Sequence, residues 1–276
     1  MQVPFLKMHG AGNRIVVVDQ RRDDLPPPDR ATLRRLGDDA TGLGFDQLMW
    51  VGPPRNGSMD ASYRVFNADG GEVEQCGNGV RCVAAMLAAE ANGKRDLRLG
   101  SLAGLIETRV LDDGLVAVNM GAPVFDPARI PFDAAQESQR YEIAVDDGKL
   151  VASVLSMGNP HCVLEVDDVA RAEVVRLGQA LGRHARFPAG VNVGFMRVRD
   201  RGNIDLRVHE RGVGETPACG TGACAAVVAG RRLGELDETV SVHLPGGRLV
   251  VSWKGASEPV WLTGNAELIG EGTVDL

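Results

Sequence analysis

Gly71-Glu72-Val73-Glu74-Gln75-Cys76-Gly77-Asn78-Gly79 and Gly214-Glu215-Thr216-Pro217-Ala218-Cys219-Gly220-Thr221-Gly222 are two versions of one segment, 143 residues apart. The same ungapped shift lays Arg64-Val65 on Arg207-Val208, Gly104 on Gly247 and Gly121 on Gly264, for nine identities over a 58-residue span. A shift close to half of a 276-residue chain reads as a duplication. It implies two pseudo-symmetric domains facing each other, 1–130 carrying Cys76 and 140–276 carrying Cys219, with the active site in the cleft between them. The polar, aperiodic stretch Pro131–Arg140 is the expected boundary.

Each copy reads as strand, glycine-rich turn, then helix. Ser62–Phe66 and Ile204–His209 alternate apolar and polar residues, as half-buried strands do. The alanine-rich runs Val80–Ala91, closed by Asn92-Gly93, and Ala223–Leu233, closed by Gly234, carry helix composition and helix stops. Asn78 and Thr221 stand where a helix N-cap is expected. Both helices are apolar nearly all round, so each should be buried within its own domain. Ten further segments, from Ile15–Asp19 to Pro259–Leu262, read mostly as strands joined by tight turns. The expected class is α+β, with a mostly antiparallel sheet or barrel wrapped around a central helix in each half.

Composition narrows the function. There are 30 basic and 37 acidic residues, a net charge of −7, which argues against nucleic acid or an anionic membrane as the main partner. No stretch approaches 18 apolar residues, and MQVPFLKMHGAGN lacks the basic head and apolar run of a secretory signal. Five cysteines, an odd number, suit reduced thiols in a cytoplasm. A soluble cytoplasmic protein is expected.

The chemistry sits at Cys76 and Cys219, each immediately before a helix. The positive end of a helix should lower a thiol's pKa, and the first-turn amides form an anion site that the flanking glycines let a ligand approach. Two such mouths opposite each other would put one thiol on either side of a bound carboxylate. One thiolate could then take a proton from a carbon while the other thiol delivers one to the opposite face, inverting a stereocentre. Cys82 and Cys224 read as small core residues, and Cys162 is given no role because strand alternation would turn only one of His161 and Cys162 inward. The C-x5-C and C-x4-C spacings do not suit a structural zinc site. Gly220-Thr221-Gly222-Ala223-Cys224-Ala225 formally fits a dinucleotide fingerprint but follows a proline-bearing turn and lacks a surrounding βαβ unit. None of the four lysines sits in a motif resembling a Schiff-base site. No metal and no cofactor are expected. Two readings stay open beside inversion of a stereocentre: a redox or sensor protein cycling Cys76 with Cys219 through a disulfide, and a silent binding protein for a zwitterionic ligand.

Met8-His9-Gly10-Ala11-Gly12-Asn13, Phe66-Asn67-Ala68-Asp69-Gly70, Glu74-Gln75-Cys76-Gly77-Asn78-Gly79, Gly158-Asn159-Pro160-His161-Cys162 and Glu210-Arg211-Gly212-Val213-Gly214-Glu215-Thr216 with Ala218-Cys219-Gly220-Thr221-Gly222 together resemble the diaminopimelate epimerases, essentially from end to end. The resemblance implies a cofactor-independent isomerase that interconverts LL- and meso-2,6-diaminopimelate in lysine biosynthesis, with a racemase of a different amino acid as the alternative. It implies Cys76 and Cys219 as the acid and base. Gly77, Asn78, Gly220 and Thr221 would hold the carboxylate at the reacting carbon, and Asn13, Gln47, Asn67, Asn159, Asn192, Glu210 and Arg211 would line the pocket. His161 and Glu210 would tune the thiols. Diaminopimelate would be the only partner besides a second copy of the chain in a homodimer. The chain departs from the family pattern at Arg14, His209 and Pro217, and at Gly270, where a tyrosine tied to dimer contact is usual.

Overall fold

The computed structural model describes residues 1–74, 76–90, 93–146 and 148–276. The chain divides into two compact units, Met1–Asn119 with Thr263–Leu276, and Met120–Leu262.

In the first unit the order is β1 (Gln2–Gly10), β2 (Asn13–Asp19), α1 (Arg30–Gly37), β3 (Gln47–Gly52), β4 (Ala61–Asn67), β5 (Glu72–Val73), α2 (Gly77–Glu90), β6 (Asp96–Ser101), β7 (Gly104–Val110) and β8 (Val116–Asn119). β1–β2, β3–β4, β6–β7 and β7–β8 pair antiparallel, β2–β3 and β4–β6 pair parallel, and β5 folds back on β4. The second unit runs β9 (Tyr141–Val145), β10 (Gly148–Ser156), β11 (Pro160–Glu165), α3 (Val174–Gly182), β12 (Asn192–Asp200), β13 (Asn203–Glu210), β14 (Gly214–Thr216), α4 (Gly220–Arg232), β15 (Thr239–Leu244) and β16 (Gly247–Ser252). It repeats the scheme: β10–β11, β12–β13 and β15–β16 antiparallel, β11–β12 and β13–β15 parallel, β14 folded on β13. β17 (Trp261–Gly264) leads into β18 (Glu267–Asp275), which pairs antiparallel with β1 just as β9 pairs with β10.

The sheets are mostly antiparallel, but each contains two parallel pairs that the strand patterns did not announce. A parallel pair needs a crossover to carry the chain back, and here every crossover holds a helix: α1, α2, α3 and α4 in turn. The unit limits also differ from 1–130 and 140–276. Pro131–Arg140 is no linker: Phe132 is buried, stacking on Phe187 at 4.8 Å and meeting Tyr141 edge-on. The last strand returns to the first unit because β1 is its hydrogen-bonding partner.

α2 packs against β1, β2, β3, β7 and β8, and α4 against β10 to β13, β15 and β16, so each lies on the inner face of its own sheet. Residues 78–84 of α2 and 222–230 of α4 are buried without a break, as an all-round apolar helix requires. α4 ends as expected, with Gly234 at φ +79° after Leu233; the expected end of the first helix, at Ala91 and Asn92, lies outside the described residues. The outer faces are covered too: Leu33 and Leu36 of α1 pack with Val16, Val18, Leu48 and Trp50, and Val174 and Leu181 of α3 pack with Cys162, Leu164, Val193 and Phe195. Strands covered on both sides read as continuous apolar runs, Ile15–Val18 being one. For the same reason His161 and Cys162 are both buried, at 1% and 0% exposure, where alternation had turned only one inward. Among the described residues no helix is long and apolar enough to cross a membrane.

The fit of α2 on its sheet leaves no room at Gly79, where a Cβ would overlap Met49 Sδ on β3. Gly79→Ala should therefore cost about 1–3 kcal/mol by chemical denaturation. A cost under about 0.5 kcal/mol, the range of neutral surface changes, would contradict this packing.

Candidate active site

The first mouth is built by the start of α2. Cys76 is half-buried, and its Sγ accepts the Gly79 amide at 3.3 Å, where a serine or aspartate cap would place an oxygen. Asn78, 4% exposed, donates through Nδ2 to Asn13 Oδ1, joining the helix to the end of the β1–β2 hairpin. Behind it lies Arg81, fully buried. Its fork donates to Asn78 Oδ1 at 2.8 Å, to the Asn265 carbonyl at 3.1 Å and to the Gly77 carbonyl at 3.5 Å. Gln47 Nε2 donates to Asn67 Oδ1 at 3.1 Å, while Gln47 Oε1 is buried with no partner among the described residues. Asn13, Gln47, Asn67, Cys76, Gly77 and Asn78 thus belong to one unit.

The second mouth is built by α4, whose N-cap is Cys219 itself, in extended backbone at φ −127° and ψ 111°. The Cys219 thiol, 5% exposed, donates to Glu210 Oε2 at 3.2 Å, and Thr216 donates to the other carboxylate oxygen at 2.5 Å. Thr221 Oγ1 lies 3.6 Å from the same sulfur and receives Asn159 Nδ2 at 3.4 Å. His161 Nε2 sits 3.0 Å from Asn159 Oδ1, an acceptor, which assigns the proton to Nε2. Asn192 bridges the Pro160 carbonyl and the Arg211 amide at 3.0 and 2.9 Å. The exposed Arg211 side chain rests on the turn at Ala189, whose carbonyl it bonds at 2.7 Å. Asn159, His161, Asn192, Glu210, Arg211, Cys219, Gly220 and Thr221 thus belong to the other unit.

Three expectations change. The caps are the cysteines: Asn78 and Thr221 are the second residues of their helices, where their side chains turn to Asn13 and Asn159. The helix end does not lower the Cys219 pKa. Burial and the Glu210 charge push it well above the ordinary thiol value, outweighing the Thr221 hydroxyl and the Gly222 amide. Cys219 is therefore a thiol at neutral pH. Third, His161 is not a base near neutrality, because burial and the Arg211 charge hold it down at about 3. Sequence reading missed Arg81 altogether, and the only available signal was a lone arginine in an otherwise apolar helix. Cys82 and Cys162 are inert, their thiols pushed up to about 12 by burial, and Cys224 is fully buried. Among the described residues no three His, Cys, Asp or Glu side chains are grouped to hold a metal ion.

The buried imidazole has a consequence for stability. Its pKa is about 3 when folded against 6.5 ordinarily, so below pH 6.5 the unfolded chain binds a proton that the native state refuses. Stability is then full above pH 6.5 and falls on acidification toward pH 3, by about 1.4 kcal/mol per unit. Between about pH 7.5 and pH 5 the native protein should lose about 2 kcal/mol more than His161→Gln in denaturant titrations. Equal losses would contradict the neutral, buried assignment.

The fold has solved counterparts at low identity. A hydroxyproline epimerase from Agrobacterium vitis with bound trans-4-hydroxy-L-proline matches with a TM-score of 0.69 at 18% identity, covering 99% of this chain and 92% of that one. A Bacillus anthracis phenazine biosynthesis protein of the PhzF family matches at 0.70 and 16% identity over the whole of both chains. A probable proline racemase from Agrobacterium radiobacter with bound carbonate matches at 0.68 and 19%, covering 99% and 93%. At the level of sequence, the family model for diaminopimelate epimerase matches residues 5–125 and 153–269, which span both cysteine-bearing helix mouths. The chain belongs to the diaminopimelate epimerase family.

Proposed function

We propose that this protein is a cofactor-independent epimerase that interconverts LL- and meso-2,6-diaminopimelate by proton transfer between the α-carbon and two thiols, Cys76 and Cys219. The observation that carries the reading is the repetition of one device: a cysteine capping a buried helix in each unit, at the same position of the same strand–turn–helix. Family membership supports epimerase or isomerase chemistry, and the choice of diaminopimelate as substrate rests on the resemblance of the pocket motifs.

The two thiols have different surroundings and so different starting roles. The Cys76 sulfur receives the Gly79 amide N–H, as the Cys219 sulfur is met by the Gly222 amide, and we assign Cys76 the removal of the α-proton. Cys219 keeps its proton, which is the state required of the group that donates, and that proton must turn from Glu210 to the substrate carbon. The electron pair left on the α-carbon spreads into the substrate carboxylate, and the Cys219 proton then arrives on the opposite face. Forward turnover leaves Cys76 protonated and Cys219 ionised, and the reverse reaction starts from that state, with Cys219 taking the α-proton and Cys76 returning the one it received.

Positioned acids and bases contribute about 10²–10⁴-fold, less than the roughly 10⁶ that enzymes commonly reach. The shortfall falls to the amides of Gly77-Asn78 and Gly220-Thr221, since preorganised donors to developing charge are worth about 2.7–4 kcal/mol each. The buried, unpartnered Gln47 Oε1 suits an ammonium donor, and Arg211 offers a fork to the distal carboxylate.

Incubation with LL-diaminopimelate under reducing conditions should yield the meso isomer. Cys76→Ser and Cys219→Ser should each lower kcat by about 10³-fold or more. Full activity in either variant would exclude the two-thiol reading. Turnover of another amino acid, with none of diaminopimelate, would retain the chemistry and overturn the substrate.

A further inference from the structure

Arg64 and Glu72 form a two-pronged ion pair, with Nε to Oε1 and Nη2 to Oε2 both at 2.6 Å. Shifted by 143 residues, Arg207 and Glu215 form the same pair at 2.7 and 2.9 Å. In each unit the arginine lies on the long strand, β4 or β13, and the glutamate on the short strand folded against it. Those short strands are two and three residues long, and each leads within four residues to its thiol: Glu72 to Cys76, Glu215 to Cys219. A strand that short is poorly held by its own ladder.

The pattern of identities singles these pairs out. Of the nine identities between the copies, seven are Arg64, Val65, Gly71, Glu72, Cys76, Gly77 and Gly79 with their counterparts. Residues that give each mouth its own chemistry differ: Asn67 corresponds to Glu210, Asn78 to Thr221 and Arg81 to Cys224. What both copies share is the thiol, the glycines that open the helix, and the arginine–glutamate pair. Partly exposed ion pairs add only about 0.2–1 kcal/mol, so stability is a weak reason for both copies to have the same fork. Fixed geometry is the stronger one, since a bidentate guanidinium–carboxylate pair fixes distance and plane together. Each pair has an additional anchor: Arg64 lies 5.1 Å from the centre of the Phe66 ring, and Arg207 Nη1 donates to the Val169 carbonyl at 2.7 Å.

We propose that Arg64–Glu72 and Arg207–Glu215 are paired positioning clamps, each holding the hairpin that sets its own thiol at its helix mouth. The consequence for turnover rests on the two-thiol epimerase reading; the effect on the thiols does not. The test uses Glu72→Gln and Glu215→Gln, with Arg64→Lys and Arg207→Lys as a second set that keeps charge but loses the fork. Labelling of each cysteine by iodoacetamide is followed by mass spectrometry. Variants of the first clamp should label Cys76 about fivefold faster and leave Cys219 unchanged, and variants of the second should do the reverse, because each clamp limits local opening of one hairpin. With LL-diaminopimelate, kcat should fall about tenfold or more while KM stays within about twofold, as misplacement of a reacting group predicts. Labelling that changes at both thiols or at neither overturns the proposal. If the native protein fails to turn over diaminopimelate, the epimerase reading fails, and the crossed labelling pattern alone decides the clamps.

Discussion

Everything at either mouth depends on a helix enclosed by its own sheet. α2 is buried from Asn78 and α4 from Gly222, so at the mouths only the opening residues of each helix, Gly77, Gly220 and Thr221, remain within reach of solvent or a ligand. The same burial explains the composition of these helices. Alanine, glycine and valine dominate because the strands approach closely, and at Gly79 even a methyl group would meet Met49. The buried Cys219 thiol sits in a low-dielectric setting, where the Glu210 charge counts for more than it would in water.

The two mouths share this frame but differ in charge. Behind Asn78 lies the buried guanidinium of Arg81, whereas the Cys219 thiol faces the carboxylate of Glu210. The carboxylate holds the Cys219 proton in place, a constraint set by Glu210 rather than by the helix end. The two copies share one scaffold but differ at equivalent positions, Asn67 against Glu210 and Arg81 against Cys224. His161 contributes as a neutral donor that orients Asn159 and, through it, Thr221.

Much of this architecture was legible in the sequence because it rests on local pattern. The segment Ile15–Asp19, read as a strand, falls within β2, and Gly234 ends α4 as glycine does when the chain must turn left-handed. The duplication placed both helices and both cysteines. What escaped depended on tertiary partners. β18 runs as Glu267–Asp275 with two glycines and little alternation in hydropathy, and only its pairing with β1 makes it a strand. α1 shows just Leu33 and Leu36 to its core. The Cys219 pKa could not be inferred from the helix end alone, because Glu210 lies nine residues away and meets the sulfur only after β13 and β14 fold together.

In the proposed reaction two different groups handle the proton on opposite sides of one carbon. This is tested most directly by running the reaction in D₂O to low conversion and locating the isotope in both substrate and product. Two thiols predict deuterium at the inverted α-carbon of the product, while the recovered substrate keeps its own hydrogen. Deuterium appearing in recovered substrate as fast as in product would mean that a single exchangeable group serves both faces, and would contradict the account.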